Sequence, residues 1–309
     1  MPRGAFTHIS FHNAFLVRSN LGGIGGRCRN ETYSDGSTAA WYALCDEQCD
    51  IWPGGTGVCN SPAEVYLRNI GTAPGNVRID MRITNQSEYR ANNARVNGVK
   101  RQSSGDTGNI SYAFFNSINL LGPRHPTQRP ASLYWNEHFT FVQLVYEFIA
   151  GGNDTLTPRP LTIGRTFLTF YDFDTGFRES SNSDGNAGAE MMQIGPEATA
   201  LLMPNVTDIQ QFSQHQFFYQ VLSPGAQQVV NNSRFRGVWD TDVNFATLPG
   251  NGADNPRSTT ELTELQSRRS VMVMFEGVSS FRVRYGISGC CTLGRNFLLA
   301  GYSQPPQLC

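Results

Sequence analysis

The chain has 309 residues and a formal net charge of -1, and 16% of its residues are charged, against about 25% in an average soluble domain. This excludes a charge-rich disordered chain and leaves no global basic field to collect phosphate backbones or acidic membranes. No run of about 18 apolar residues is present to span a bilayer, so neither nucleic acid nor a membrane span is expected.

Residues 1–62 read as a Gly- and Cys-rich appendage with weak periodicity, and Leu21-Gly22-Gly23-Ile24-Gly25-Gly26 cannot form a regular element. Its apolar beginning (Phe6, Ile9, Phe11, Phe15, Leu16 and Val17) precedes the first cysteine and is open to exchange with a neighbouring subunit, as when one copy lends a strand to the next. His8, Ser10, His12 and Asn13 interrupt that stretch, so residues 1–27 do not resemble a secretory leader, and export is expected to depend on one upstream of Met1.

The seven cysteines are Cys28, Cys45, Cys49, Cys59, Cys290, Cys291 and Cys309. Clustering at both ends fits an extracellular domain whose termini are stapled by disulfides. A bond between the neighbours Cys290 and Cys291 would be strained, so each is expected to reach a different partner. An odd count leaves one thiol over, and Cys309 is the natural candidate. Zinc is the competing use of Cys45-x3-Cys49 with Cys28 and Cys59, but the paired Cys-x2-Cys knuckles are missing. Asn-x-Ser/Thr sequons at Asn30, Asn85, Asn109, Asn153, Asn205 and Asn231 fall in segments that read as loops or strand ends, where glycans are tolerated.

From residue 63 onward the pattern is that of strands. Val77 to Thr84 alternates apolar with polar residues and should turn Arg78, Asp80 and Arg82 to solvent. Asn97-Gly98 is a two-residue hairpin signal. Tyr112 to Phe115, Phe139 to Ile149 and Leu161 to Phe173 read as longer strands. The second is nearly apolar on both faces and should be central and covered on both sides. Shorter candidates lie at 198–203, 215–222 and 236–248, followed by Val271 to Phe275 and the alternating Phe281 to Ile287. One short helix is expected near 258–269, opened by a Ser258/Glu261 capping box and closed by Arg268-Arg269. Many short strands and one short helix predict a mainly β chain: an antiparallel, jelly-roll-like β-sandwich over 63–309.

Of the 24 basic residues a single one, Lys100, is lysine. That excludes a P-loop, for Lys100 lies between Val99 and Arg101 rather than after glycine. Arginine, with its planar two-pronged grip, suits fixed ion pairs or anionic glycans. Asp172, Asp174, Asp184 and Glu190 flank an acidic loop and are candidate ligands for a structural Ca²⁺, although the spacing is not that of an EF-hand. The five histidines are scattered, and there is neither a Gly-x-Ser-x-Gly elbow nor His-Glu-x-x-His, so no enzyme is expected. Trp41 and Trp52, in the cysteine-bearing region, are candidates for stacking on sugar rings.

Arg90, Asn97-Gly98-Val99-Lys100-Arg101, Trp135 through Phe141, Phe170 through Gly176, Leu265 through Val273 and Cys290-Cys291 together resemble a group of predicted secreted proteins of marine microalgae, over about residues 63–309. In that group a cysteine often follows the acidic loop where this chain has Glu190-Met191-Met192, which implies one disulfide fewer here. The resemblance implies no activity and no functional residue. The sequence thus predicts an extracellular or cell-surface structural or adhesive glycoprotein, forming a filament or surface layer with copies of itself or other extracellular proteins. The alternatives are a carbohydrate-binding module, Ca²⁺-dependent or not, and a glycan-acting enzyme.

Overall fold

The computed structural model describes residues 6–11, 14–23, 62–91, 97–101, 114–121, 139–151, 158–171, 173, 189–202, 209–212, 219–220, 234–237, 256, 262–288 and 294–301. The chain is mainly β. Its strands are β1 His8–Ile9, β2 Phe15–Ser19, β3 Glu64–Ala73, β4 Val77–Asn85, β5 Gly98–Arg101, β6 Phe114–Leu121, β7 Phe139–Ala150 and β8 Thr166–Tyr171. The second half adds β9 Ala189–Ile194, β10 Ala198–Leu202, β11 Ile209–Phe212, β12 Tyr219–Gln220, β13 Arg234–Gly237, β14 Val271–Phe275, β15 Ser280–Ser288 and β16 Gly294–Gly301, with α1 Glu264–Arg268 before β14.

The strands form two antiparallel sheets. The larger runs β1-β3-β4-β7-β15-β9-β13-β11-β12, with β2 also on β3, and the smaller runs β10-β14-β8-β16-β6-β5. Their facing sides share one apolar core, as expected of a β-sandwich. Alternation decides which side chains enter it. Val142, Leu144, Tyr146 and Phe148 of β7, Phe281, Val283, Tyr285 and Ile287 of β15, and Met192 and Ile194 of β9 are all buried. They meet Phe170, Phe275 and Phe297 of the smaller sheet: Tyr285 stacks on Phe297 with centroids 4.4 Å apart, and Phe275 lies 4.4 Å from Phe281. Each such pair contributes about 1 kcal/mol beyond its buried area.

The beginning of the chain closes one side of the sandwich. β1 and β2 pair with β3, and Ile9, Phe11, Leu16 and Leu21 are buried in the common core. Two glycines let the backbone in: a Cβ on Gly71 of β3 would lie 2.2 Å from the His8 carbonyl oxygen, and one on Gly301 of β16 would lie 2.0 Å from that of Ile9. Any other residue at either place would push β1 off one of the sheets. Residues 24–61, with four of the cysteines, lie outside the described residues.

Several expectations need correction. Asp80 is not on a wet surface but fully buried. β3 bulges between Leu67 and Gly71, which pair with Met81 and Ile79 respectively, so three residues oppose Asp80 alone. Asn69, at the tip of the bulge with φ 59°, donates its N–H to Asp80 Oδ1 at 2.9 Å, and Arg78 Nε donates to the same oxygen at 3.2 Å. The carboxylate holds the irregular strand and is covered by it. β7 is central, as expected, yet covered on one side only: Phe141 is 43% exposed, and Gln143, Val145 and Glu147 are half-buried. Asn97-Gly98 does not read as a surface turn. Gly98 begins β5, which pairs with β6, while buried Asn97 donates to the Tyr89 hydroxyl at 2.7 Å and accepts from the Asn119 N–H at 2.8 Å. Helix α1 is shorter and starts later than expected. Its capping box is Thr263 and Gln266, each side chain bonded to the other's backbone N–H, whereas Ser258 and Glu261 lie outside the described residues.

Asp80→Ala leaves the Asn69 N–H and Arg78 facing an empty, desolvated place and should lower the unfolding free energy by about 3 kcal/mol. Glu147→Ala, which breaks a half-exposed pair with Arg82 (2.7 Å), should cost about 1 kcal/mol or less; denaturant titration compares the two. Alkali acts on the core. Burial pushes the Tyr66 and Tyr171 hydroxyls from 10.0 to about 12, the negative charge of Asp80 adding to the effect at Tyr66, and raises Tyr89, Tyr146 and Tyr285 as well. The folded state thus favours neutral phenols, and that contribution is complete below pH 10 and lost as pH climbs through 12 and beyond. Thermal stability should therefore fall steeply above pH 10, with tyrosinate absorbance appearing together with unfolding.

Candidate ligand-binding face

The outer side of the larger sheet is built by the residues that alternation leaves out of the core. Register sets Gln143 of β7 opposite Arg284 of β15, and Arg284 opposite Gln193 of β9, which makes a polar row across three neighbouring strands. The next row holds Phe141, Gly286 and Met191. Gly286 carries no side chain to cover the adjacent ring, and Phe141 stays exposed although it lies mid-sheet. On the other side, the turn after β9 brings Gly195 beside Arg282, with Gly195 N–H donating to the Arg282 carbonyl at 2.8 Å. Gln143, Gln193, Gly195, Pro196, Arg282 and Arg284 line a shallow depression of about 170 Å³, floored by Val283.

The polar groups are held in place. Arg284 donates to Gln143 Oε1 at 2.9 Å and lies over the Phe141 ring, 5.0 Å from its centroid. Gln143 Nε2 donates to Gln86 Oε1 at 2.8 Å. Arg282 Nε donates to Glu197 Oε1 at 2.7 Å. Its two Nη groups, and the side-chain amide of Gln193, make no hydrogen bond among the described residues. The floor is rigid because the intervening residues Val283, Tyr285, Leu144 and Ile194 are locked in the core. The face therefore presents a planar ring, amides that both donate and accept, and a guanidinium fork that points donors outward.

The candidates read from sequence fall largely elsewhere. Cys28, Cys45, Cys49, Cys59, Cys290, Cys291 and Cys309, Trp41 and Trp52, Asp172, Asp174 and Asp184, and Asn30, Asn109, Asn153, Asn205 and Asn231 lie outside the described residues. Glu190 is buried on β9, paired with Ile287 in the core, on the side away from the depression. Asn85 ends β4, where it accepts from Gly22 N–H at 3.1 Å and donates to the Ser87 carbonyl at 2.9 Å. Among the described residues no group of three or more His, Cys, Asp or Glu could hold a metal ion, and no helix is long and apolar enough to cross a membrane. Sequence reasoning missed Phe141. Its signal was Gln143 and Glu147 two and six residues on, which mark that side of β7 as wet.

No protein-family model and no curated protein matches the chain. Among solved structures, the adhesin domain of PrgB from Enterococcus faecalis is similar at a TM-score of 0.36 and 11% identity, over 95% of this chain and 85% of that one. The glucan-binding protein C of Streptococcus mutans, whose structure is described as evidence that it mediates sucrose-independent and sucrose-dependent adherence, is similar at a TM-score of 0.30 and 10% identity, over 79% of this chain. The chain spans 62% of that protein's length. Neither likeness is close enough to carry information about function.

The pair at the margin of the depression is partly exposed, 46% for the Arg282 side chain and 22% for Glu197. Glu197→Gln should therefore change the unfolding free energy by less than about 1 kcal/mol, which thermal melts would register as a small shift in Tm.

Proposed function

We propose that the protein is an extracellular or cell-surface adhesive β-sandwich that holds carbohydrate against the outer face of its larger sheet. One observation carries this reading: an exposed Phe141 ring stands beside the row Gln143, Arg284 and Gln193 on a rigid, shallow surface. A sugar ring has an apolar C–H face and a rim of hydroxyls that both donate and accept. An aromatic ring answers the first, and amides and guanidinium groups answer the second. A shallow face open along the sheet admits the middle of a polysaccharide, where a deep pocket would admit only its end.

The cysteines at both ends of the chain and the Asn-x-Ser/Thr sequons support the extracellular setting. In this reading they form disulfides and carry glycans, and the jelly-roll-like body is a display platform rather than a catalyst. Among the described residues beside the depression the carboxylate is Glu197, which is engaged by Arg282, whereas glycoside hydrolysis needs two carboxyl groups flanking the bond.

Isothermal titration with soluble polysaccharides, chosen from a glycan array, tests the proposal. Phe141→Ala should weaken the binding about tenfold, which corresponds to the roughly 1.4 kcal/mol at the upper end of a ring-stacking contribution, with Tm unchanged. An array without signal, or equal affinity of wild type and variant, would refute it.

A further inference from the structure

Arg282 brings no charge to the depression that is not already offset. Glu197 accepts twice from it, at Oε1 from Nε at 2.7 Å and at Oε2 from the backbone N–H at 3.4 Å. Gly195 makes room for this grip: a Cβ there would lie 2.1 Å from Glu197 Oε2 and 3.1 Å from Arg282 Cβ. With Nε and the backbone both held, the guanidinium is fixed. Its two Nη groups make no hydrogen bond among the described residues and remain as a fork of donors. The side-chain amide of Gln193 is likewise without a hydrogen bond among the described residues. Both groups line the depression, and register keeps them close: Gln193 is opposite Arg284, two residues from Arg282 on the same face of β15, and the Gly195 N–H bonds the Arg282 carbonyl at 2.8 Å.

Resting on the carbohydrate reading above, we infer that the ligand is a neutral polysaccharide whose sugars keep two adjacent free hydroxyl groups, taken by the Arg282 fork and the Gln193 carboxamide. Adjacent hydroxyls on a pyranose stand side by side, so both accept from the paired N–H groups of one guanidinium. A planar carboxamide can donate to one of them and accept from the other. An acidic substituent in the same place would meet the Glu197 carboxylate, while the guanidinium charge that could hold it is already engaged. Glu197 is therefore a positioning residue: it aims the fork and turns acidic polymers away. The site then selects by linkage. Interior sugars of 1,4- and 1,6-linked chains keep an adjacent pair, whereas 1,3-linked hexoses do not, and donors that wait for a hydroxyl discriminate against the chain that lacks it.

Titration of the whole protein with dextran, pullulan, glucomannan and a linear 1,3-glucan tests this, each polymer before and after periodate oxidation and borohydride reduction, which open sugars only between adjacent hydroxyls. At least one of the first three should bind, weaken about tenfold once oxidised, and exceed the 1,3-glucan by about the same factor. Arg282→Gln and Gln193→Ala should remove that difference. Arg165→Gln, which breaks the pair with Glu276 elsewhere on the molecule, should keep it. Glu197→Leu should match the loss in Arg282→Gln, and Glu197→Gln, which retains an oxygen to accept from Nε, should recover most of it. Glu197→Leu combined with Arg282→Gln should lose no more than either alone, as residues acting through one contact do; additive losses would overturn the role of Glu197. Dextran sulfate should bind no tighter than dextran, and a preference for it would overturn the inference. Equal binding of native and oxidised polymer, lost in Phe141→Ala, would also overturn it and leave the carbohydrate reading standing, while no binding by any polymer would overturn both. Melting curves of the variants identify any loss that follows from unfolding.

Discussion

The aromatic layer between the two sheets is the constraint on which the rest depends. Tyr146, Phe281 and Tyr285 from the larger sheet interlock with Phe275 and Phe297 from the smaller one, and the Tyr146 and Tyr285 hydroxyls satisfy each other at 3.1 Å. Because side chains on a strand point alternately to either face, fixing these rings in the core also fixes the outward residues between them. Gln143 and Arg284 owe their registration to it: they alternate with Leu144, Tyr146, Val283 and Tyr285, which cannot shift without emptying the core. A binding surface on such strands is preorganised by packing that it does not itself touch.

A second group of contacts locks the edges. Asp80 pins the bulge of β3, Asn97 ties Tyr89 to β6, and Gly71 and Gly301 let β1 lie against both sheets. These are polar or glycine positions inside an otherwise apolar body, and each answers a local irregularity of the backbone: a strand with extra residues, a strand start at positive φ, a close approach of chains. Their burial is the cost of joining a short first strand to two sheets at once.

How much of this the sequence reveals depends on how regular each strand is. β15 is legible because Phe281 to Tyr285 alternates apolar with polar residues and the burial alternates with them, and β14 because Val271 to Phe275 is a short, wholly apolar run between turn-like residues. β16 is not, since Phe297 and Leu299 enter the main core while Leu298 and Ala300 pack with Phe115 and Tyr171 on the other side of the sheet, which erases the period. β3 is hidden by its bulge, and the same bulge buries Asp80, which the alternation of β4 taken alone places in water. The capping motif occurs twice in the stretch, at Ser258 and at Thr263, so the sequence alone does not say that Thr263 opens α1. The candidate face was harder still. Trp41 and Trp52 drew attention as the larger rings, but a single phenylalanine gains significance only when pairing sets it beside Gly286 and next to a row of amides and guanidinium groups.

In this account the candidate carbohydrate-binding surface lies on three strands whose opposite sides carry the core. Side-chain amide resonances of Gln143 and Gln193 in isotope-labelled protein, followed while the soluble polysaccharide chosen from the glycan array is added, test it most directly. Both should shift together and saturate with the affinity measured by titration, while the Asn119 and Asn296 amides on the smaller sheet stay still. Binding that leaves Gln143 and Gln193 unmoved, or that moves the smaller sheet instead, would contradict it.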